Sequence, residues 1–264
     1  MKKMLTFLLA AIMVFSLVAC GASGDSDMAY IKGKGQMVIS YTIYEPMNYT
    51  DETGTFTGFD TELATFVCEQ LNVKPVFQLI DWGTKETELA GKAIDCIWNG
   101  MTLDAEREAN MNCTKPYIKN AQVVVMKKGS GYTDTASLAG KTVCAEIGSA
   151  GEVQIIGSED AKADEGLAKA EYVGKAYQTD CLMEVKAGTA AAAVLDMTLA
   201  NAMIGEGTDY AELEIVDRLG IENYGVAFRK GSDIRDEVNK IFDQFVKDGT
   251  MQALADKYGL ELAD

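Results

Sequence analysis

Residues 91–107 of this chain read GKAIDCIWNGMTLDAER. The apolar positions at 94–98 predict a short buried strand, which runs into the small and polar residues Asn99, Gly100 and Thr102. Arg107 follows Thr102 by five residues. A guanidinium presents its N–H donors in a planar fork that matches a carboxylate with two parallel hydrogen bonds. The stretch therefore predicts a strand end at which a small carboxylate can be held.

A glycine precedes a polar residue at a predicted strand end by the same number of residues at two places in the chain. Gly91 precedes Asn99 by eight residues, and Gly188 precedes Asp196 by eight residues at the end of another predicted strand. In open parallel sheets, ligands bind in the crevice beyond the carboxyl ends of the strands. Each half of the chain is thus expected to bring a polar group to an equivalent position. Two sheets that face one another would enclose a ligand from both sides.

Strands and helices alternate along the rest of the sequence. Strands are predicted at 37–43, 76–80, 142–147, 191–195, 213–216 and 225–228, and helices at 59–71, 83–90, 178–186, 234–245 and 251–257. Asp60 is the predicted N-cap of the first of these helices. Repeated strand–helix–strand units favour an α/β fold with a mostly parallel sheet covered on both faces. A length of 264 residues suffices for two compact lobes.

The composition argues against several classes of function. A formal net charge of −16 repels phosphate backbones, which argues against nucleic acid as a partner. The chain has no histidine, so Ser-His-Asp and Cys-His nucleophiles are excluded, and we predict neither a metal nor a cofactor. The internal cysteines are odd in number and are expected to be mainly buried thiols, with one disulfide left open: Cys68, Cys96, Cys113, Cys144 and Cys181.

The N-terminus has the pattern of a processing signal. Lys2 and Lys3 precede an apolar run at 5–19, which is too short for a resident membrane span. The run ends Leu-Val-Ala-Cys-Gly and resembles a bacterial lipoprotein signal. That resemblance implies cleavage before Cys20, attachment of lipid (palmitate) to its sulfur, and an extracytoplasmic protein anchored to the cell membrane. Residues 1–19 would be the signal peptide and 20–27 a lipidated tether; a plain signal peptide is the alternative.

Short motifs spread over 36–258 carry a resemblance to a known family. They include, in order, Gly58-Phe59-Asp60, Asp81-Trp82, Met101-Thr102 through Arg107, Pro116-Tyr117, Gly148-Ser149, Asp196 and the segment 225–230. In this order and spacing, the chain resembles the polar amino-acid-binding solute-binding proteins of bacterial ABC importers. The resemblance implies a two-lobed type II periplasmic-binding-protein fold with a hinged cleft between the lobes. Lobe I would comprise 28–118 and 221–264, and lobe II 119–220.

The resemblance also implies roles for individual residues. Arg107 would clamp the α-carboxylate of an amino acid, helped by the Thr102 hydroxyl and by backbone amides near Ala150, and Asp196 would accept hydrogen bonds from the α-ammonium. The full predicted ligand set is Tyr41, Tyr44, Trp82, Asn99, Gly100, Met101, Thr102, Arg107, Ser149, Ala150 and Asp196. Two structural alternatives stay open, since Asp196 is also suited to capping a following helix and Thr102 to a turn.

The side chain of the ligand is less well defined by the sequence. By family register Tyr44 and Trp82 would form aromatic walls around it. Tyr41 occupies the position where basic-amino-acid binders of the family carry an aspartate, which favours a neutral polar amino acid, although Glu45 lies close by. Asn99 would hydrogen-bond a polar ligand side chain, while Trp98 is expected in the lobe core.

The function implied by this resemblance is capture of an amino acid and delivery to an ABC permease and its ATPase, by a monomeric protein that is not an enzyme. Two alternatives remain. Cyclohexadienyl dehydratases resemble the same fold, and here Glu45, Asp196 or Glu146 would have to serve as the acid. A ligand sensor for a signalling receptor would share every residue of the cleft.

Overall fold

The computed structural model describes residues 26–264, so the predicted signal peptide, Cys20 and most of the predicted tether lie outside the described residues. In this part of the chain, the helices are α1 (Asp27–Lys34), α2 (Phe59–Leu71), α3 (Lys85–Ala90), α4 (Ala105–Asn110), α5 (Ala150–Ile156), α6 (Gln178–Ala187), α7 (Met197–Met203), α8 (Ile234–Asp248) and α9 (Thr250–Tyr258). None of the helices within residues 26–264 has the length and apolar character needed to cross a membrane.

The strands are β1 (Gln36–Tyr41), β2 (Tyr49–Thr50), β3 (Phe56–Thr57), β4 (Lys74–Leu79), β5 (Cys96–Thr102), β6 (Asn112–Cys113), β7 (Ile118–Lys127), β8 (Thr142–Glu146), β9 (Glu171–Lys175), β10 (Ala192–Asp196) and β11 (Leu213–Phe228). β2 and β3 pair only with each other. The other strands form one hydrogen-bonded sheet in the order β4-β1-β5-β11-β7-β10-β8-β9, with β6 paired to β11.

The sheet is parallel in each half and antiparallel at its centre. β1 runs parallel to β4 and β5, and β8 runs parallel to β9 and β10. β7 and β11 run antiparallel to each other and to the strands beside them, β10 and β5. The predicted α/β class is therefore confirmed, whereas the sheet as a whole is mixed and not mostly parallel: four of its strand pairs are parallel and four are antiparallel.

The two central strands pass from one half of the sheet into the other. Their pairing runs from Leu213 opposite Lys127 to Tyr224 opposite Ile118, with irregularities at 215–217 and 218–220. The sequence predicts two separate strands in this region, at 213–216 and 225–228, whereas the structure contains one. The polar stretch between them lacks the alternation of a half-buried strand, and it is extended because β7 provides a hydrogen-bonding partner along its length.

Asp60 does not have the role predicted for it. Helix α2 begins at Phe59 with Gly58 at the cap position, and the Asp60 side chain is buried. Its carboxylate accepts hydrogen bonds from the backbone N–H of Gly100 (2.7 Å) and the hydroxyl of Tyr117 (2.8 Å). Burial raises the pKa of Asp60 to about 7. The residue thus joins α2 to β5 across the core instead of capping the start of the helix.

The packing of the core agrees with the sequence pattern. Helix α8 buries its apolar stripe at 234, 238, 241, 242 and 245, which is the helical periodicity predicted. Trp98 is fully buried, as expected, and its ring meets Phe242 at 5.8 Å between centroids. The five internal cysteines are free thiols, and all of them except Cys113 are buried.

Candidate functional site

A small cavity lies between the two halves of the molecule at the carboxyl ends of β5 and β10. Nine of the residues predicted from the sequence line it, namely Tyr44, Trp82, Asn99, Gly100, Thr102, Arg107, Ser149, Ala150 and Asp196, together with Glu146 and Gln178. The enclosed space is about that of a single water molecule. An amino acid could therefore enter only if the two halves moved apart.

Arg107 is buried in the first turn of α4, and a hydrogen bond made by its own backbone N–H helps to fix its position. Asp104 caps this helix by accepting a hydrogen bond from the Arg107 N–H at 2.8 Å. The guanidinium donates to the carbonyl of Thr102 (3.0 Å) and, across the cleft, to that of Gly148 (3.1 Å). Nη1 also lies 3.1 Å from Oδ2 of Asp104 in an ion pair. A guanidinium carries five N–H donors, and within residues 26–264 Nε and one N–H of Nη2 have no hydrogen-bond partner, so donors remain for a carboxylate.

Asp196 ends β10 and is enclosed by amide donors. Its Oδ1 accepts hydrogen bonds from Asn120 Nδ2 (2.6 Å) and Gln122 Nε2 (2.8 Å), and its Oδ2 accepts one from Gln178 Nε2. Asp196 occupies the N-cap position of α7, but its side chain makes no capping hydrogen bond. The carboxylate is thus directed at the cleft, and the capping alternative is not realised.

The Thr102 hydroxyl is engaged by a residue that the sequence did not suggest. It donates to Glu222 Oε1 at 3.0 Å, and the same oxygen accepts from Asn120 Nδ2 (2.6 Å) and Gln122 Nε2 (2.9 Å). Glu222 lies on β11, opposite Asn120 on β7. Two carboxyl groups, those of Glu222 and Asp196, therefore share one pair of amide donors at the central strands.

Asn99 lines the cavity, but its polar atoms are already used. The Asn99 Oδ1 accepts from the backbone N–H (3.0 Å) and the hydroxyl (2.8 Å) of Thr42, and its Nδ2 donates to the Thr42 carbonyl (3.0 Å) and to Asn48 Oδ1 (2.7 Å). These four hydrogen bonds fix the loop after β1 to β5. They leave little hydrogen-bonding capacity for the ligand side chain that the sequence assigned to Asn99.

Two glycines allow the close contacts that shape the cavity. A Cβ at Gly100, whose φ is +58°, would lie 2.7 Å from Cε1 of Tyr44, so only glycine lets this ring pack against β5. A Cβ at Gly151 would lie 2.7 Å from the carbonyl oxygen of Val194, so the first turn of α5 packs directly on β10. Ala150 starts α5, and its backbone N–H has no acceptor inside the helix.

Trp82, one of the two predicted aromatic walls, has a buried lysine beside it. Trp82 is buried in a 3₁₀ turn before α3, and the ammonium group of Lys85 lies 4.9 Å from the centre of its ring. Lys85 is buried as well, and its Nζ donates to the carbonyl oxygens of Trp82 (3.2 Å) and Gly148 (3.0 Å). Burial, followed by the charge of Arg107, lowers the pKa of Lys85 to about 8.

Two predicted residues are not brought to this cavity. Met101 is fully buried and packs in an apolar cluster with Ile80 and Trp82. Tyr41 lines a second cavity and packs against the ring of Phe56 at 4.7 Å between centroids. Met101 lies between Gly100 and Thr102 in β5, both of which line the cavity, so the alternation of side chains along a strand directs Met101 to the opposite face of the sheet.

Three residues of the site escaped prediction as ligand-binding groups: Glu146, Gln178 and Glu222. Glu146 ends β8 just as Asp196 ends the neighbouring parallel strand β10, so the same strand-end rule would have found it. Gln178 starts α6 without any motif. Glu222 lies in the polar centre of β11, where the sequence gives no strand signal.

The carboxyl groups of the site are raised in pKa by their surroundings. Burial, followed by the charge of Asp196, raises the pKa of Glu222 to about 8 and that of Glu146 well above its usual range. Burial also raises the pKa of Asp196, while its hydrogen bonds, that from Gln178 first, oppose the shift. All three buried carboxyl groups are therefore harder to ionise than they would be in water.

A wider groove adjoins the cavity on the Arg107 side. It is lined by residues from α3, α4, α5 and β11, and it shares Thr102, Arg107 and Ala150 with the cavity. Arg107 is the charged residue that lines both the groove and the cavity.

The family model of the bacterial extracellular solute-binding proteins, family 3, matches residues 37–261. The arginine-binding extracellular protein ArtP of Bacillus subtilis is 28% identical over 260 residues, which cover 98% of each chain. A mutant of ArgBP from T. maritima has a similar structure, with 28% identity, a TM-score of 0.78 and coverage of 88% of this chain and 98% of that chain. The ancestral amino acid-binding protein AncCDT-1, a precursor of cyclohexadienyl dehydratase, has 27% identity, a TM-score of 0.77 and coverage of 88% and 99%.

Proposed function

The chain belongs to the bacterial extracellular solute-binding proteins of family 3, and on this basis we propose that it captures a free amino acid between its two lobes and delivers it to the permease of an ABC importer. The observation that carries the proposal is the presence of one buried guanidinium, Arg107, and one buried carboxylate, Asp196, in the walls of a single cavity. These charges complement the two ends of an α-amino acid.

The proposed mechanism is closure of the lobes on the ligand. Arg107 and Thr102 belong to the proposed lobe I (28–118 and 221–264), whereas Asp196 belongs to the proposed lobe II (119–220). Bending of β7 and β11, the strands that join the two halves, would bring both charges onto one zwitterion. Charged hydrogen bonds contribute about 1.5–3 kcal/mol each, and the ligand favours closure only by its higher affinity for the closed form.

Calorimetry with a panel of amino acids tests this proposal. The purified chain, freed of co-purified ligand by unfolding and refolding, is titrated with each common amino acid, arginine included because ArtP is named as an arginine-binding protein. The best ligand is then compared with its methyl ester, which lacks the carboxylate, and its N-acetyl derivative, which lacks the ammonium. We expect each blocked derivative to bind at least tenfold more weakly.

A pair of matched variants assigns the carboxylate end. Arg107→Lys keeps the positive charge but removes the planar fork, and we expect it to weaken binding at least tenfold. Arg218→Lys makes the same change at an exposed position of β11 and should leave the affinity unchanged. No binding of any amino acid would overturn the proposed function, and equal affinities of both variants would overturn the role of Arg107.

The location of the protein is the second part of the proposal. Proteins of this family are extracellular, and we propose that Cys20 is lipid-modified and anchors the chain to the outer face of the cell membrane, where it acts as a monomer. Metabolic labelling with palmitate, compared between the wild type and Cys20→Ala, tests the anchor. Label of equal intensity in both proteins would contradict it.

We also propose that the protein is not an enzyme. The dehydratase alternative has one observation in its favour, because Glu146 is a carboxyl group in the cavity whose pKa is raised by burial. Incubation with prephenate and arogenate, followed by chromatography, is expected to return the substrates unchanged. Turnover that is lost in Glu146→Gln would establish the enzyme instead.

A neutral polar ligand is predicted from the residue type at Tyr41. Tyr41 lines a different cavity from the one that contains Arg107 and Asp196, so it does not lie beside the proposed ligand. The neutral polar class stays a prediction, and the amino-acid panel tests it directly.

A further inference from the structure

Glu146 is the part of the cavity wall that the proposed amino-acid clamp does not use. It is the last residue of β8, and β8 runs parallel to β10, which ends in Asp196. Parallel strands bring their carboxyl ends to the same edge of a sheet. The side chain of Glu146 is 3% exposed and lines the same cavity as Arg107 and Asp196.

Glu146 differs from the other carboxyl groups of the site in its hydrogen bonding. Asp196 has three amide donors, and Glu222 has two amides and a hydroxyl. Glu146 Oε1, in contrast, is buried and has no hydrogen-bond partner in the part of the chain that the structure describes. A buried carboxyl oxygen without a donor is costly, and native proteins rarely keep one without a use.

The charged groups near Glu146 are engaged elsewhere. Lys85 donates its hydrogen bonds to the carbonyl oxygens of Trp82 and Gly148. Lys175 is opposite Glu146 on the neighbouring strand β9, but its ammonium group is paired with Glu184. At Glu146, burial and the charges of Asp196 and Asp81 raise the pKa, and the charge of Lys85 lowers it. No cation within residues 26–264 thus forms an ion pair with Glu146.

We propose that Glu146 selects the side chain of the bound amino acid, and that it favours a side chain ending in a cationic nitrogen group. The inference rests on the proposed capture of an amino acid by Arg107 and Asp196. With the α-carboxylate on the guanidinium and the α-ammonium on Asp196, the ligand side chain is the remaining part that can meet the free oxygen of Glu146. A cationic nitrogen supplies both the missing hydrogen-bond donor and the missing positive charge.

Pairs of ligands that differ only in charge test the inference. Citrulline has the shape of arginine with a neutral end group, and norleucine has the shape of lysine without the ammonium. We expect the wild type to bind arginine or lysine at least tenfold more tightly than its neutral counterpart. In Glu146→Gln this ratio should fall at least tenfold, because glutamine keeps the size of the side chain but not its charge.

A matched variant controls for the general effect of negative charge. Glu86→Gln removes a carboxylate from the outer groove, outside the cavity, and should leave the ratio unchanged. If Glu146→Gln weakens charged and neutral ligands by the same factor, Glu146 serves the common ammonium end and the inference is overturned. A wild-type preference for neutral ligands overturns it as well and supports the neutral polar prediction. Both results leave the proposed amino-acid capture intact, whereas no binding at all would remove it.

A second measurement needs no variant. Burial raises the pKa of Glu146 well above its usual range. Pairing with a cationic side chain should lower this pKa again, so binding of a cationic ligand should release more protons than binding of a neutral one. Calorimetric titrations at pH 7 in buffers of different ionisation enthalpy measure this release. We expect up to one proton more for arginine than for citrulline, and equal release for the two ligands would contradict the inference.

Discussion

The Asp196→Asn substitution removes a buried negative charge but keeps the size and shape of the side chain. In the proposed complex the Asp196 carboxylate holds the α-ammonium of the ligand. Loss of one charged hydrogen bond costs about 1.5–3 kcal/mol, which corresponds to a dissociation constant raised by roughly 10- to 150-fold. Every amino acid that the wild type binds should be affected, because the ammonium group is common to all of them.

The same substitution should have little effect on folding in the absence of ligand. The asparagine oxygen still accepts from Asn120 and Gln122, while the new amide group meets the donor of Gln178, at a cost of about 1–3 kcal/mol. The substitution also removes the electrostatic repulsion between the Asp196 carboxylate and the carboxyl groups of Glu146 and Glu222, which offsets this cost. We expect the free energy of unfolding to change by about 1 kcal/mol or less.

Thermal and urea unfolding with and without ligand measure both effects. Ligand at one hundred times the wild-type dissociation constant stabilises the wild type by about 2.7 kcal/mol, and a variant with hundredfold weaker binding by only about 0.4 kcal/mol. Asp180→Asn, on the neighbouring helix α6 but outside the cavity, should keep the full stabilisation. An Asp196→Asn protein that is strongly destabilised yet gains the full 2.7 kcal/mol would refute the reasoning, because Asp196 would then be a structural residue.

Three further substitutions have defined outcomes. Gly100→Ala places a Cβ 2.7 Å from the ring of Tyr44 and should destabilise the fold by about 1–3 kcal/mol, measurable by urea denaturation. Glu222→Gln should flatten the pH dependence of stability. The pKa of Glu222 is about 8 in the folded protein and about 4.5 in the unfolded chain, so the wild-type free energy of unfolding falls as pH rises through this window. Measured by urea denaturation, the wild-type free energy of unfolding should thus fall relative to that of the variant across this window, by no more than the one-proton limit of about 1.4 kcal/mol per pH unit. Parallel curves of free energy against pH would contradict this expectation. Tyr44→Phe removes the hydroxyl contact to Thr198 across the cleft. It should weaken ligand binding by roughly 2- to 12-fold and increase the radius of gyration of the ligand-free protein in small-angle X-ray scattering. If both values are unchanged, this contact does not hold the cleft closed.

The sequence predicts the parts of the site that lie within one local stretch. The segment from Asn99 to Arg107 is a strand, a turn and a short helix, and its spacing alone brings Thr102 and Arg107 to one place. Glu146, which the sequence suggested only as an acid for the dehydratase alternative, ends its strand as Asp196 does and was open to the same strand-end rule. Glu222 was missed because its importance depends on pairing between distant strands. Asp60 was misassigned for the same reason: the local pattern of a helix cap is indistinguishable from that of a buried carboxylate whose donors come from elsewhere in the chain.

The central strands connect the ligand charges to the bending of the molecule. Asn120 and Gln122 are two residues apart on β7, so their side chains lie on the same face of the sheet. Their amides donate both to Asp196, on the strand that pairs with β7 on one side, and to Glu222, on the strand that pairs with it on the other. Glu222 also accepts a hydrogen bond from Thr102. A change in the angle between the two halves would therefore change the hydrogen bonds both at Asp196 and at Thr102. In the proposed complex, a ligand that satisfies Arg107 and Asp196 together would therefore be bound best at one angle, and this difference in affinity would drive the proposed closure.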